Sequence, residues 1–255
     1  MGARNDAGAK RQIIRAMKNI SPCVACPNSE LGFCRAVLKD AEKAGPTLGG
    51  GSDWQHHLFI PAGKLVLAPN QPLPDVYVLC NGWGIRFLQL ANGRRQIISF
   101  LLPGDLFSAS TVFEERFHFS VKALTAIQVS AMKRKEVQSR AAANPSVVMA
   151  VADFCCMEME AADRMMAALG HYSAEERIAY LFLHLMKRIS ALNVIRDHRY
   201  PFPLRQQHIA EAVGLTPVHV SRVLGTFRER RTAELSNGVL QVFNLPELQR
   251  MGALN

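Results

Sequence analysis

Three cysteines stand close together near the N-terminus as Cys23-x2-Cys26-x7-Cys34. Thiolates on a short loop are ligands for soft metals and iron–sulfur clusters, and a cluster ordinarily takes four of them. The N-terminal stretch MGARNDAGAKRQIIRAMKNI lacks the apolar core of a secretory signal, so the expected address is the cytoplasm. In that reducing compartment the six cysteines of the chain read as a metal, cluster or redox site rather than a disulfide frame. A 4Fe-4S cluster, a zinc or redox role, and no metal at all remain open for these thiols. Cys80, closing the run VYVLC, is a further candidate ligand.

A second constellation lies between Leu204 and Arg231, LRQQHIAEAVGLTPVHVSRVLGTFRERR. Its periodicity predicts a helix over about Gln206–Val213, with Ile209, Ala210 and Val213 turned inward. Gly214 ends that helix at a tight turn. Thr216 then caps a second helix, and Pro217 occupies its first turn, where a missing N–H costs nothing. In the second helix Val220, Val223, Leu224 and Phe227 point to the core, leaving Val218, His219, Ser221, Arg222 and Arg228 on other faces. Small and polar groups at a helix N-terminus, with an arginine in reach of guanine edges or phosphates, suit a recognition helix in the DNA major groove. Gln206, Gln207 and Thr216 join the candidate DNA contacts, and the tail RERR adds charge for phosphates. The segment ELSNGVLQVFNLPELQ reads as a hairpin turning at Asn237-Gly238, a wing behind the helix-turn-helix.

Positioning these groups takes a chain of 255 residues, enough for two modest domains. Lys and Arg outnumber Asp and Glu by 30 to 21, a net charge of +9 that suits a polyanionic partner. No run approaches the length of a membrane span, and no glycine-rich phosphate loop, metal-spaced His pair or nucleophile elbow points to an enzyme. From Asp53 to about Arg134 short apolar runs (KLVLA, VYVLC, GIRFLQL, RQIISFLL, FSVKAL, AIQVSAM) alternate with turn signals, as in a small β-roll, a barrel or a two-sheet sandwich.

After Asn144-Pro145 a helical pattern runs for about 25 residues, with a seam of Val148, Val151, Cys155, Ala162, Met165 and Leu169 that Glu158 interrupts. Such a helix needs a partner: a second copy, or its own β domain. Cys155-Cys156 on it read as packing residues, and Met157, Met159, Met165 and Met166 as an adaptable interface. A capping box, Ser173 with Glu176, opens a further helix whose Ile178, Leu181, Leu185 and Met186 look like core.

In this order of parts, and in the phrases LLPGDLF, SAEERIAYL and QQHIAEAVGLTPVHVSRVL, the chain resembles the CRP/FNR superfamily of bacterial regulators, nearest its FnrN/FixK-like branch. The resemblance implies an α+β fold. A Cys-containing segment over 1–45 precedes a cyclic-nucleotide-binding-like β-roll of jelly-roll type over 46–145. A dimerisation helix and connecting helix follow over 146–190, then a winged helix-turn-helix over 191–255. It implies a cytoplasmic homodimer on a near-palindromic double-stranded operator, with RNA polymerase as a further partner and oxygen or redox state as the signal. Arg222 takes the place of the family's guanine-reading arginine and Ser221 that of the preceding serine, while Val218 stands where a glutamate is usual.

The resemblance argues against a cyclic nucleotide. Ser108-Ala109-Ser110 lacks the ribose-binding glutamate, and Phe117-His118 replaces the Arg-Ser pair for the phosphate. The Cys-x2-Cys-x7-Cys spacing matches the branch's cluster motif, and the fourth cysteine of oxygen-sensing members falls at Ser130. An effector-free regulator, or one using haem or nitric oxide through His56, His57 or His118, is the alternative.

Overall fold

In the computed structural model, residues 23, 26–30, 32–43, 54–113, 118–192 and 197–253 are described. Phe117 and the basic N-terminal stretch therefore lie outside the described residues. A 3-10 turn over Pro27–Glu30 leads into α1 (Gly32–Lys43). The β region then folds as two antiparallel sheets. One has the order β1-β7-β3 (Gln55–Ile60, Ile127–Lys133, Asp75–Asn81). The other has the order β2-β6-β4-β5 (Leu65–Leu67, Ser120–Ala123, Gly84–Gln89, Arg95–Leu101). Leu79, Leu101, Phe107, Val121, Ile127 and Val129 fill the space between them. Alternation along each strand sends these residues inward and their neighbours out.

Each apolar run read from the sequence contributes a strand. β1 went unread because it opens on Gln55-His56-His57, polar residues at a half-buried edge. α2 (Arg134–Ala143) was missed for a related reason: only Val137 and Arg140 are buried, so it has no apolar stripe to announce it.

α3 (Pro145–His171) begins where Asn144 accepts a hydrogen bond from the Ser146 amide, and Pro145 fits its first turn. The structure divides the apolar seam expected along it. Val147, Val151 and Ala168 are buried against the chain's own domains, and Met165 and Leu169 pack on the core around α4. Glu158 points inward as well, where it pairs with Arg86 of β4. The outer face carries a different row: Val148, Ala152, Cys155, Met159, Ala162 and Met166, all exposed, at alternating spacings of four and three. That is the heptad rhythm of a helix meeting another helix.

α4 (Ala174–Ala191) has the expected capping box, and Ile178, Leu181, Leu185 and Met186 are buried as read. It backs both the roll and the C-terminal unit, whose elements are β8 (Arg199–Pro201), α5 (Gln206–Val213), α6 (Pro217–Glu229), β9 (Ala233–Ser236), β10 (Val239–Val242) and α7 (Leu245–Gly252). The wing is a three-stranded sheet, β8-β10-β9, rather than a bare hairpin. NLPELQ, read as its continuation, instead forms α7, started by Asn244 accepting from the Glu247 amide at 3.1 Å.

Candidate nucleic-acid interface and thiol site

The helix-turn-helix is built as its residues dictate. Gly214 closes α5 with φ +68, a conformation that costs a side-chain-bearing residue. Thr216 Oγ1 accepts from the His219 amide at 3.2 Å, satisfying one of the open donors at the start of α6. Val220, Val223 and Phe227 are buried, and Leu224 packs against the same core. Val218, Ser221 and Arg222, at i, i+3 and i+4, therefore share one exposed face, with His219 and Arg228 exposed beside it.

Other candidates are partly occupied. Gln206 and Gln207 are exposed, but Gln207 donates to Glu211 at 3.0 Å. Glu211 also receives Arg95 of β5 at 2.9 Å, and Gln96 donates to the Ala212 carbonyl. α5 is thus tied to the roll as well as to α6. Arg230 pairs with Glu175 at the start of α4, and Arg231 lies over the Phe243 ring. Of the basic tail, Arg228 is the side chain set beside the exposed face of α6.

The second site lies against the other sheet of the roll, β1-β7-β3. α1 docks through Phe33 and Val37 onto Val76 and Val78 of β3 and onto Val147 and Val151 of α3. Arg140 fixes this seat: its guanidinium donates to the Val37 carbonyl, pairs with Glu136 and stacks over Trp54. Docking brings the N-terminal thiols to the sheet. Cys23 accepts from Gln55 Nε2 at 3.1 Å, and the same amide donates to Ser130 Oγ at 2.7 Å.

Cys80 sits at an irregularity between Leu79 and Asn81 in the β3–β7 ladder, where its sulfur meets the Ser130 backbone N–H. Burial first, and then charge on Cys23, Cys80 and Cys26, together push the Cys34 thiol up to about 12. Cys80 is likewise raised to about 12 by burial and by Cys23 and Cys26. All four thiols therefore share one neighbourhood, and none is in a disulfide. Among the described residues no three His, Cys, Asp or Glu side chains are placed as ligands of a single metal ion.

The remaining sequence candidates scatter. His57 Nε2 lies 3.5 Å from Cys23, with its pKa lowered by burial, and His56 lies 3.8 Å from Asp75. His118 is exposed against the edge of Phe119. Cys155 and Cys156 are exposed on α3. Ser108 is buried and accepts from the Tyr77 amide. What the sequence did not reveal is the nearness of Cys80 to the N-terminal thiols. Their separation along the chain hides it, and the docking of α1 together with the pairing of β3 with β7 brings it about.

Comparison with known proteins follows the same division. Residues 176–251 match the Crp-like helix-turn-helix domain, and residues 57–144 match the cyclic nucleotide-binding domain. The chain is 32% identical over 171 residues to the nitrogen fixation regulation protein FixK of Azorhizobium caulinodans, covering 67% of this chain and 68% of that one. It is 22% identical over 196 residues to an anaerobic regulatory protein of Aggregatibacter actinomycetemcomitans, covering 77% and 76%. Among solved structures, FixK2 from Bradyrhizobium japonicum superposes with a TM-score of 0.72 at 23% identity, over 79% of this chain and 98% of that one. No described helix is long and apolar enough to cross a membrane.

Proposed function

This chain belongs to the CRP/FNR family of DNA-binding transcription regulators, a non-enzymatic family, and from that premise we propose that it acts as an oxygen- or redox-responsive homodimer sensing through Cys23, Cys26, Cys34 and Cys80. The observation that carries the reading is the gathering of four thiols from α1, its leading loop and β3. An iron–sulfur cluster takes four such ligands. The position implied for the fourth, Ser130, lies on β7, and Cys80 of the adjacent strand meets its backbone N–H. Cys23, Cys26, Cys34 and Cys80 would then hold a 4Fe-4S cluster, with the fourth thiol supplied by the neighbouring strand. Bound there, the cluster would supply an oxygen-labile, redox-active centre. Relatives named for nitrogen fixation and anaerobic regulation agree with such a signal.

The chain's own residues carry the signal onward. Cys34 sits on α1 beside Phe33, and α1 packs on the first turns of α3. A change at the thiols that favours one seating of α1 biases α3, and with it the spacing of the two recognition helices. Only a signal that favours one seating over the other can do this. The exposed row from Val148 to Met166 forms the subunit seam. Arg222 with Ser221 and His219 selects bases, while Arg228, Thr216, Gln206 and Gln207 face the phosphates. No cyclic nucleotide is invoked, since Ser108-Ala109-Ser110 lacks the ribose-binding glutamate and Phe117-His118 stands in place of the phosphate-binding Arg-Ser pair. The operator is near-palindromic, RNA polymerase is the further partner, and the working division of the chain is 1–45, 46–145, 146–190 and 191–255.

Anaerobic purification with iron and sulfide assays and an absorption spectrum tests this reading. About four iron and four sulfide per subunit are expected. Cys80→Ser should retain less than half of the iron, whereas Cys156→Ser, on the exposed face of α3, should retain all of it. A colourless, iron-free protein that still binds its operator would overturn the sensor assignment. Equal iron in the two variants would overturn the role of Cys80.

A further inference from the structure

We propose that Val218 reads the methyl group of a thymine, so that each half-site carries a T·A pair within two base pairs of the guanine taken by Arg222. The inference rests on α6 being the recognition helix and adds the identity of one base.

Val218 is 72% exposed, the most exposed of the large apolar side chains among the described residues. A single exposed valine is ordinary on a protein surface. What gives this one meaning is its company. It shares the outer face of α6 with Ser221 and Arg222, while Val220, Val223 and Phe227 hold the opposite face in the core. It stands one residue inside Pro217, at the end of the helix that leads into a major groove. The Thr216 cap and the fixed φ of Pro217 hold that first turn, and a β-branched side chain in a helix has essentially one rotamer. The methyl groups are therefore presented in one place.

In the major groove every base pair offers donors and acceptors, but thymine alone offers an apolar group, its C5-methyl. Valine can neither donate nor accept. Set against the amino group of cytosine or adenine it would desolvate that donor without replacing its partner, an unfavourable exchange. Set against thymine it buries methyl on methyl. Preference for thymine thus has an attractive part and a repulsive part, which is how sharp discrimination arises. The register follows from helix geometry. Val218 precedes Arg222 by four residues, about 6 Å along the axis. Base pairs are spaced by roughly 3.4 Å, so the two side chains address positions one or two steps apart.

Selection of operators from a random library by the full-length protein supplies the first test. A T·A pair should emerge within two base pairs of a selected guanine in each half-site. Replacing that thymine by deoxyuridine removes the methyl alone and should weaken binding about three- to fivefold per half-site, the worth of one buried methyl. In Val218→Ala the thymine-to-uracil ratio should fall to near one, and Val218→Glu should move the preference toward cytosine, whose amino group a carboxylate accepts. Arg222→Ala should keep the thymine-to-uracil ratio and lose the guanine preference. Selected sites without T·A at that position, or a ratio unchanged by Val218→Ala, would overturn the methyl proposal while the guanine preference still marked α6 as the reading helix. A guanine preference untouched by Arg222→Ala would overturn the recognition-helix assignment beneath it.

Discussion

Met159→Lys is expected to leave each subunit folded, turn the dimer into a monomer and lower operator affinity by at least about 100-fold. Met159 is 62% exposed and belongs to none of the cores formed by the described residues, so a lysine there meets water in the isolated subunit. Asp163 lies one turn on and can accept the new charge. In the proposed dimer the same position lies mid-seam, between Cys155 and Ala162, and faces its own copy across the twofold axis. Two like charges then meet in a desolvated stripe, which costs several kcal/mol. A lone subunit binds one half-site and forfeits the 10²–10⁴ that linking two half-sites supplies. Sedimentation and operator titration on one preparation read both effects. A dimer of unchanged affinity would mean that the seam lies elsewhere.

Arg222→Ala should act on specificity without touching the fold. Arg222 is exposed on α6 and shares its face with Ser221 and Val218. A guanidinium bidentate to guanine O6 and N7 is worth about 1–3 kcal/mol of discrimination, counted in each half-site. Binding to the operator should therefore fall toward the level of random DNA, which phosphate contacts sustain. Arg228→Ala is the useful contrast, because loss of a phosphate contact weakens all sequences alike and flattens the salt dependence. Should Arg222→Ala bind operator and random DNA as the parent does, the base-reading role falls.

The helix-turn-helix was legible because local signals agree there: a Gly at the turn, a Thr-Pro start and a period of 3.6 with one apolar face. The roll was legible for similar reasons, its strands being short and bounded by Asn-Gly and Pro-Gly turns. α3 was only half legible. Both of its faces are apolar, so hydropathy shows a helix that needs partners but not which face meets the chain's own roll. Val151 and Cys155 read alike in sequence, yet Val151 is fully buried and Cys155 is exposed. α2 escaped because a helix with two buried residues has no period to detect. The thiol site escaped in part because Cys80 reaches Ser130 only across the β3–β7 pairing. The Arg95–Glu211 pair, which joins the roll to α5, is equally non-local.

In the proposed regulator the state of the four-thiol site sets DNA binding by the dimer. This dependence is tested most directly by titrating one operator with anaerobically purified protein, then again after exposure to air, alongside Cys34→Ser treated identically. The parent's affinity should differ at least tenfold between the two conditions as its iron is lost, and the variant should show no such difference. Affinity that stays the same in the parent while the iron is lost, or that changes equally in Cys34→Ser, would contradict it.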